Sequence, residues 1–183
     1  MNIHKIISDR WSPVAFSDET LSDKQIMSLF EAARWAPSSY NAQPWRFIYG
    51  KKGENTYDAL FNLLSEGNKA WAGTAPLLVL GMAETIFPTR NTSNRFALYD
   101  TGMAVGNLLA QATSMGLLVH QMGGYDANKA RDVFTLPESW EALAIMAIGY
   151  KGNPDQLAPE IAEREQKTRE RSGVDSFVFR AGL

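Results

Sequence analysis

Residues 36–45 read Ala-Pro-Ser-Ser-Tyr-Asn-Ala-Gln-Pro-Trp, and within them Ser38, Ser39, Asn41 and Gln43 carry groups that both donate and accept hydrogen bonds. Pro37 and Pro44 stiffen the backbone around these groups, so the segment suits a neutral, flat, heteroatom-rich ligand better than it suits a spacer. Positive charge is offered elsewhere. Arg10 lies two residues before Ser12, and Arg169 two residues before Arg171; guanidinium forks beside a hydroxyl are suited to a terminal phosphate. In isolation Arg10 also reads as an ordinary exposed surface cation.

Conventional side-chain catalysis is poorly supplied. The chain has no cysteine, which removes disulfides, thiolate nucleophiles and Cys-ligated metals, and its two histidines are His4 and His120. His120 falls in an expected strand beside Gln121, where a satisfied core or ligand-packing role outweighs that of a general base. No G-x-x-x-x-G-K-[ST] occurs and no G-x-G-x-x-G follows a strand, so a phosphate-binding P-loop and a dinucleotide-binding fingerprint are both missing. A protein so equipped can still perform redox chemistry when a bound cofactor carries the reactive atom.

The elements that must position these residues are legible as a mixed α and β order. A short helix is expected over residues 3–8, then a helix that starts with a Ser22/Gln25 capping box, repeats Ile26, Leu29, Phe30 and Ala33, and stops at Pro37. It delivers the chain into the polar segment. Residues 45–49 alternate as a strand ending at Gly50, 54–65 and 67–74 read as helices, and the apolar run 76–81 suits a central strand. After a loop at 87–92, a long and largely buried helix is expected over 93–115. A strand at 117–122 ends at Gly123-Gly124, a short helix covers 127–134, and a buried strand covers 143–150. The irregular helical spacers favour an α+β layer over regular βαβ units. The charged run 160–171 reads mostly as a solvated helix face. Gly102 and Gly106 leave two readings open, close helix packing inside one subunit or a subunit interface.

With 183 residues, 45% of them hydrophobic, the chain can bury a core as one domain spanning 1–183 without metal or disulfide staples. Lys and Arg total 18 against 20 Asp and Glu, so no global basic field exists for nucleic acid. The first ten residues hold no apolar core of a signal peptide, and polar residues Asn107, Gln111, Thr113 and Ser114 interrupt the longest apolar stretch. No membrane association and a cytoplasmic location are the expectations.

Arg10-Trp11-Ser12 with Phe16-Ser17-Asp18, the segment 36–45, and Gly116-Leu117 leading to Gly123-Gly124 together resemble the nitroreductase family of FMN-dependent oxidoreductases, in order and over nearly the whole chain. The proline-bounded Ser-Ser-x-Asn-x-Gln segment is the specific part. The resemblance implies an α+β fold with a mixed or antiparallel central sheet flanked by helices, an intertwined homodimer, and two FMN sites at the subunit interface. It implies that Arg10 and Ser12 hold the ribityl phosphate or chain, that Trp11 contributes backbone, and that Arg169 and Arg171 close on the phosphate. Pro37, Ser38, Ser39 and Asn41 would come from the partner subunit to line the flavin, with Tyr40 facing the substrate or packing. Asn68 would pair with the flavin ring edge, and Gln121, Gly123 and Gly124 would run beneath the ring. Val14 and Trp71 stand where relatives are often basic, which would make the substrate pocket more aromatic through Trp71. NADH or NADPH would supply hydride to the flavin N5 and an electron-poor small molecule, a nitroaromatic or quinone, would receive it. A dehalogenase, a heterocycle dehydrogenase and a non-catalytic flavin-binding protein are the alternatives.

Overall fold

The computed structural model describes residues 2–180, and its centre is a four-stranded sheet in the order β1 (Trp45–Lys51), β2 (Leu77–Glu84), β6 (Trp140–Gly149), β5 (Leu118–Met122). Every pairing in it is antiparallel. Two-residue alternation sorts the strand side chains onto two faces. Leu78, Leu80, Met82, Ile145 and Ala147 lie in one apolar core, while Leu77, Val79, Met146 and Ile148 lie in the other.

Helices cover both faces. On the first, α3 (Asn55–Leu63) contributes Tyr57, Leu60 and Leu63, and α4 (Glu66–Ala72) and α6 (Ala127–Val133) contribute Trp71 and Ala130. On the second, α2 (Asp23–Arg34) buries Ile26, Leu29 and Ala33 against Ala104, Leu108 and Ala112 of α5 (Ala97–Ser114). The Ser22 hydroxyl accepts the Gln25 amide at 3.3 Å while the Gln25 side chain accepts the Ser22 amide at 2.9 Å, which closes the capping box at the start of α2. A short α1 (Lys5–Asp9) precedes the Arg10 turn.

Two expected elements differ. The long helix begins at Ala97 rather than at 93, because residues 86–93 form a small hairpin of β3 (Ile86–Phe87) and β4 (Thr92–Ser93), and the Asn94 side chain then accepts the Phe96 amide at 3.1 Å. The charged run does not continue as a helix. After α7 (Pro159–Ala162) and one 3₁₀ turn (Glu163–Gln166), residues 167–173 are irregular, since the Arg169 guanidinium reaches back to the Ser8 and Arg10 carbonyls. Among the described residues no helix is long and apolar enough to cross a membrane.

Candidate functional site

Three guanidinium groups converge at the N-terminal turn. Arg10 donates to the Ser12 hydroxyl at 3.0 Å, Arg169 grips the backbone carbonyls on either side of Asp9 and lies 5.9 Å from the Trp11 ring centre, and Arg171 is close enough to act on Arg10 electrostatically. Burial first, then the charges of Arg169 and Arg171, hold the Arg10 guanidinium below its ordinary pKa. None of the three forms an ion pair with a carboxylate among the described residues. Arg10, Trp11, Ser12, Arg169 and Arg171 are thus brought together by folding, although more than 150 residues separate the two basic pairs in sequence.

The tie that makes this turn is Glu165, which sequence reasoning missed. Its carboxylate accepts the Trp11 indole N–H at 3.1 Å and the Ala15 amide at 3.2 Å, and also takes the Val14 amide. In the sequence it is one more glutamate of a charged run. Behind the turn, His120 contacts the Pro13 carbonyl through Nδ1 at 2.6 Å, which requires the proton on Nδ1 because a carbonyl only accepts. Its ring lies 4.4 Å from that of Trp71. Burial is the main cause that lowers the His120 pKa, with Arg164 and Arg10 adding to it against the opposing effects of the Pro13 carbonyl and Glu165.

Trp71 corrects one expectation. It is 1% exposed, packed between Phe16 and His120 in the core, and its indole N–H has no hydrogen-bond partner. The side chain supports the floor beneath the basic turn and does not line an open substrate pocket. His120, by contrast, is half-buried and satisfied by the Pro13 carbonyl, in keeping with the packing role expected of it.

The segment after α2 is preshaped. Pro37 is exposed, and Tyr40, Asn41 and Gln43 adopt positive φ values of 52°, 53° and 48°, a conformation costly for residues other than glycine and maintained by its surroundings. The Ser38 hydroxyl accepts the Gln43 amide at 3.0 Å, and the Ser39 amide donates to Asp100 at 2.9 Å. Asp100, at the start of α5 and 3% exposed, is a second residue that the sequence did not single out. Tyr40 is 75% exposed. No described hydrogen bond, ion pair or ring contact joins this loop to the basic turn within one chain.

At the end of β5, an edge strand, Asn68 donates to the Gly124 carbonyl at 2.9 Å and the Ser65 amide donates to the same carbonyl at 2.9 Å. A Cβ at Gly124 would fall 2.9 Å from both the Asn68 and the Ser65 side chains, so the turn admits only glycine without rearrangement. The Gly123 and Gly124 amides donate to no described group and border a depression of about 490 Å³. Gln121 is exposed on the sheet face opposite His120, and borders a groove of about 290 Å³ with Gly102 and Gly106. Apart from their own helix backbone, no described residue comes within 4 Å of a Cβ built at either of these two glycines, so they make no close packing contact within the described chain.

The nitroreductase family model matches residues 7–66 and 50–150. A 15.4 kDa protein of Mycolicibacterium smegmatis is 32% identical over 142 residues, covering 73% of this chain and 94% of that protein. A Streptomyces coelicolor protein whose name pairs NADH dehydrogenase with NAD(P)H nitroreductase is 23% identical over 168 residues, covering 81% of this chain and 83% of that one. Among solved structures, one described as an oxidoreductase containing FMN superposes with a TM-score of 0.94 at 29% identity, covering all of this chain and 93% of its own. A nitroreductase family protein of Streptococcus pneumoniae shares the fold with a TM-score of 0.77 at 18% identity, covering 97% of this chain and 98% of its own. The matched family model takes in Arg10, the loop 38–43 and the glycine turn, and with it this chain belongs to the nitroreductase family.

Proposed function

We propose that the protein is an FMN-dependent oxidoreductase that carries reducing equivalents from NADH or NADPH to an electron-poor acceptor such as a nitroaromatic or quinone, and that it works as a homodimer. The observation that carries this reading is the convergence of Arg10, Arg169 and Arg171 with no ion-paired carboxylate among the described residues. Like charges held together raise each other's free energy, and a phosphate monoester dianion with three acceptor oxygens relieves this while it satisfies the guanidinium forks and the Ser12 hydroxyl. The donor set therefore fits FMN.

Bound FMN would supply two-electron redox chemistry between reduced nicotinamide and the acceptor, and one site shared by donor and acceptor would make the kinetics ping-pong. The chain's own residues bind and orient. Arg10, Ser12, Arg169 and Arg171 hold the phosphate end, with Trp11 fixing the turn through Glu165. Gly123 and Gly124 offer unused amides, and Asn68 fixes the turn that presents them. Pro37, Ser38, Ser39 and Asn41 form the opposite wall, donated by the partner subunit, with Tyr40 beside the substrate; Gln121 faces the groove at the same boundary. The groove along Gly102 and Gly106 is the contact surface for a second copy.

Absorbance of the purified protein tests the reading: oxidised-flavin bands are expected, and a colourless protein that also fails to take up added FMN sinks it. Anaerobic addition of NADH or NADPH should bleach the bands; persistent colour would mean a flavin binder that does not turn over. Arg10→Ala is expected to weaken FMN binding by about 1.5–3 kcal/mol, the scale of a hydrogen bond to a charged group, as read by fluorescence titration.

A further inference from the structure

The hairpin that displaced the start of α5 brings a cation onto the flavin-wall loop. Arg90, in the turn between β3 and β4, sets its guanidinium carbon 4.2 Å from the Tyr40 ring centre, and Phe87 of the same hairpin meets the Tyr40 ring edge-on with centroids 5.9 Å apart. Tyr40 is fixed from below by its left-handed backbone and by the neighbouring Ser39–Asp100 hydrogen bond. The ring nonetheless remains 75% exposed, so Arg90 covers only part of it. Attraction between a cation and an aromatic face holds Arg90 in place without consuming its N–H groups. No described acceptor takes those N–H groups, and no described carboxylate pairs with Arg90 or with Arg95, whose guanidinium carbon lies 4.5 Å from the Phe96 ring centre. Residues 85–99 contain no acid, and Glu84 just before them is committed to Arg46.

A planar aromatic surface carrying a fork of unspent donors is complementary to a flat molecule that bears an anion at its edge. We propose that Arg90, seated on Tyr40, is a specificity-determining residue that recognises a carboxylate or phosphate on the planar substrate. This rests on the reading that residues 37–41 line the flavin. The anion has two sources, the phosphates of the nicotinamide donor or an acidic group on the acceptor, and the two half-reactions separate them.

Arg90→Met keeps the length and apolar stem of the side chain and removes the charge. With the flavin-loaded protein reduced anaerobically, reoxidation by 4-nitrobenzoate is compared with reoxidation by the uncharged 4-nitrobenzamide. Reduction by NADH and NADPH is compared with reduction by the uncharged 1-benzyl-1,4-dihydronicotinamide. Loss of one charge-assisted contact is expected to lower the charged-to-neutral ratio of second-order rate constants about tenfold in one half-reaction. A fall confined to reoxidation assigns the anion to the acceptor, and a fall confined to reduction assigns it to the donor. Arg90→Lys, which keeps the charge, should recover part of the ratio. Equal changes for charged and neutral partners, or no change, overturn the proposal while the oxidoreductase reading stands. Loss of bound flavin in Arg90→Met also overturns it, because Arg90 would then act on the cofactor. A wild-type protein that never holds flavin would overturn both.

Discussion

Asp100 holds the Ser39 amide from a position 61 residues away, and burial makes that single contact matter. Asp100→Ala would leave the amide without an acceptor and is expected to cost about 1–3 kcal/mol, whereas Asp100→Asn keeps an acceptor oxygen and should recover most of it. Urea denaturation read together with FMN titration checks both, since the loop and its ligand should weaken in parallel. His120 makes a different kind of prediction. Its folded pKa is lowered from 6.5, chiefly by burial, so the unfolded chain takes up its proton first as pH falls. The stability it supports is complete above that value and drains below it. The urea midpoint should therefore drop as the pH falls through 6.5 and below, and His120→Gln should flatten that drop. Of these residues, His120 was legible because a lone histidine beside Gln121 in an otherwise apolar strand is more readily satisfied by packing and a local hydrogen bond than used as a base. Asp100 was not, because nothing in its own neighbourhood points to Ser39. Trp71 was misread for the same reason: whether an aromatic side chain faces a pocket or supports its floor depends on partners far along the chain, here Phe16 and His120.

Elements were clearest where the pattern was periodic. The Ser22 capping box and the continuous apolar run through β2 marked helix and strand from the sequence alone. The segments around the site are the ones that escaped: the hairpin at 86–93 is a short local pairing with no periodic signal, and the irregular stretch 167–173 follows the reach of Arg169 back to the Ser8 and Arg10 carbonyls. Glu165 makes a further long-range tie. Glu165→Ala would release the Trp11 indole and two backbone amides at once, and is expected to weaken FMN binding by at least tenfold, on the scale of one to two lost charged hydrogen bonds. Glu165→Gln keeps one acceptor oxygen for the amides but faces the indole N–H with a donor, so an intermediate affinity is expected from the same titration. The segment that follows β6 is anchored closely too. A Cβ at Gly152 would fall 2.3 Å from the Phe16 carbonyl carbon, so Gly152→Ala should lower the melting temperature by forcing these two backbone segments apart.

For the whole molecule, the sheet with helices on both faces followed from the order of elements, while the strand order and the separation of the site into pieces did not. No described contact joins the basic turn and the loop 38–43 within one chain, and the groove at Gly102 and Gly106 is open, as the proposed homodimer requires. A Cβ at Gly106 has no described atom of its own chain within 4 Å beyond its own helix backbone, so the fold should tolerate Gly106→Leu and the proposed subunit contact should not. Light scattering is expected to show a particle of about 20 kDa for the variant and twice that for the wild type; an unchanged mass would remove this groove from the interface. The reach of Glu165 and Arg169 back to residues 8–15 has a consequence for timing. During synthesis the turn at Arg10 emerges early but has no acceptor for its amides and no neighbouring cations until the ribosome has passed residue 171. A chain made only as far as α7 would have every strand of the sheet and an untied basic turn, so on the proposed function a cut between residue 166 and Arg169 in the mature protein should discharge FMN while the core stays intact.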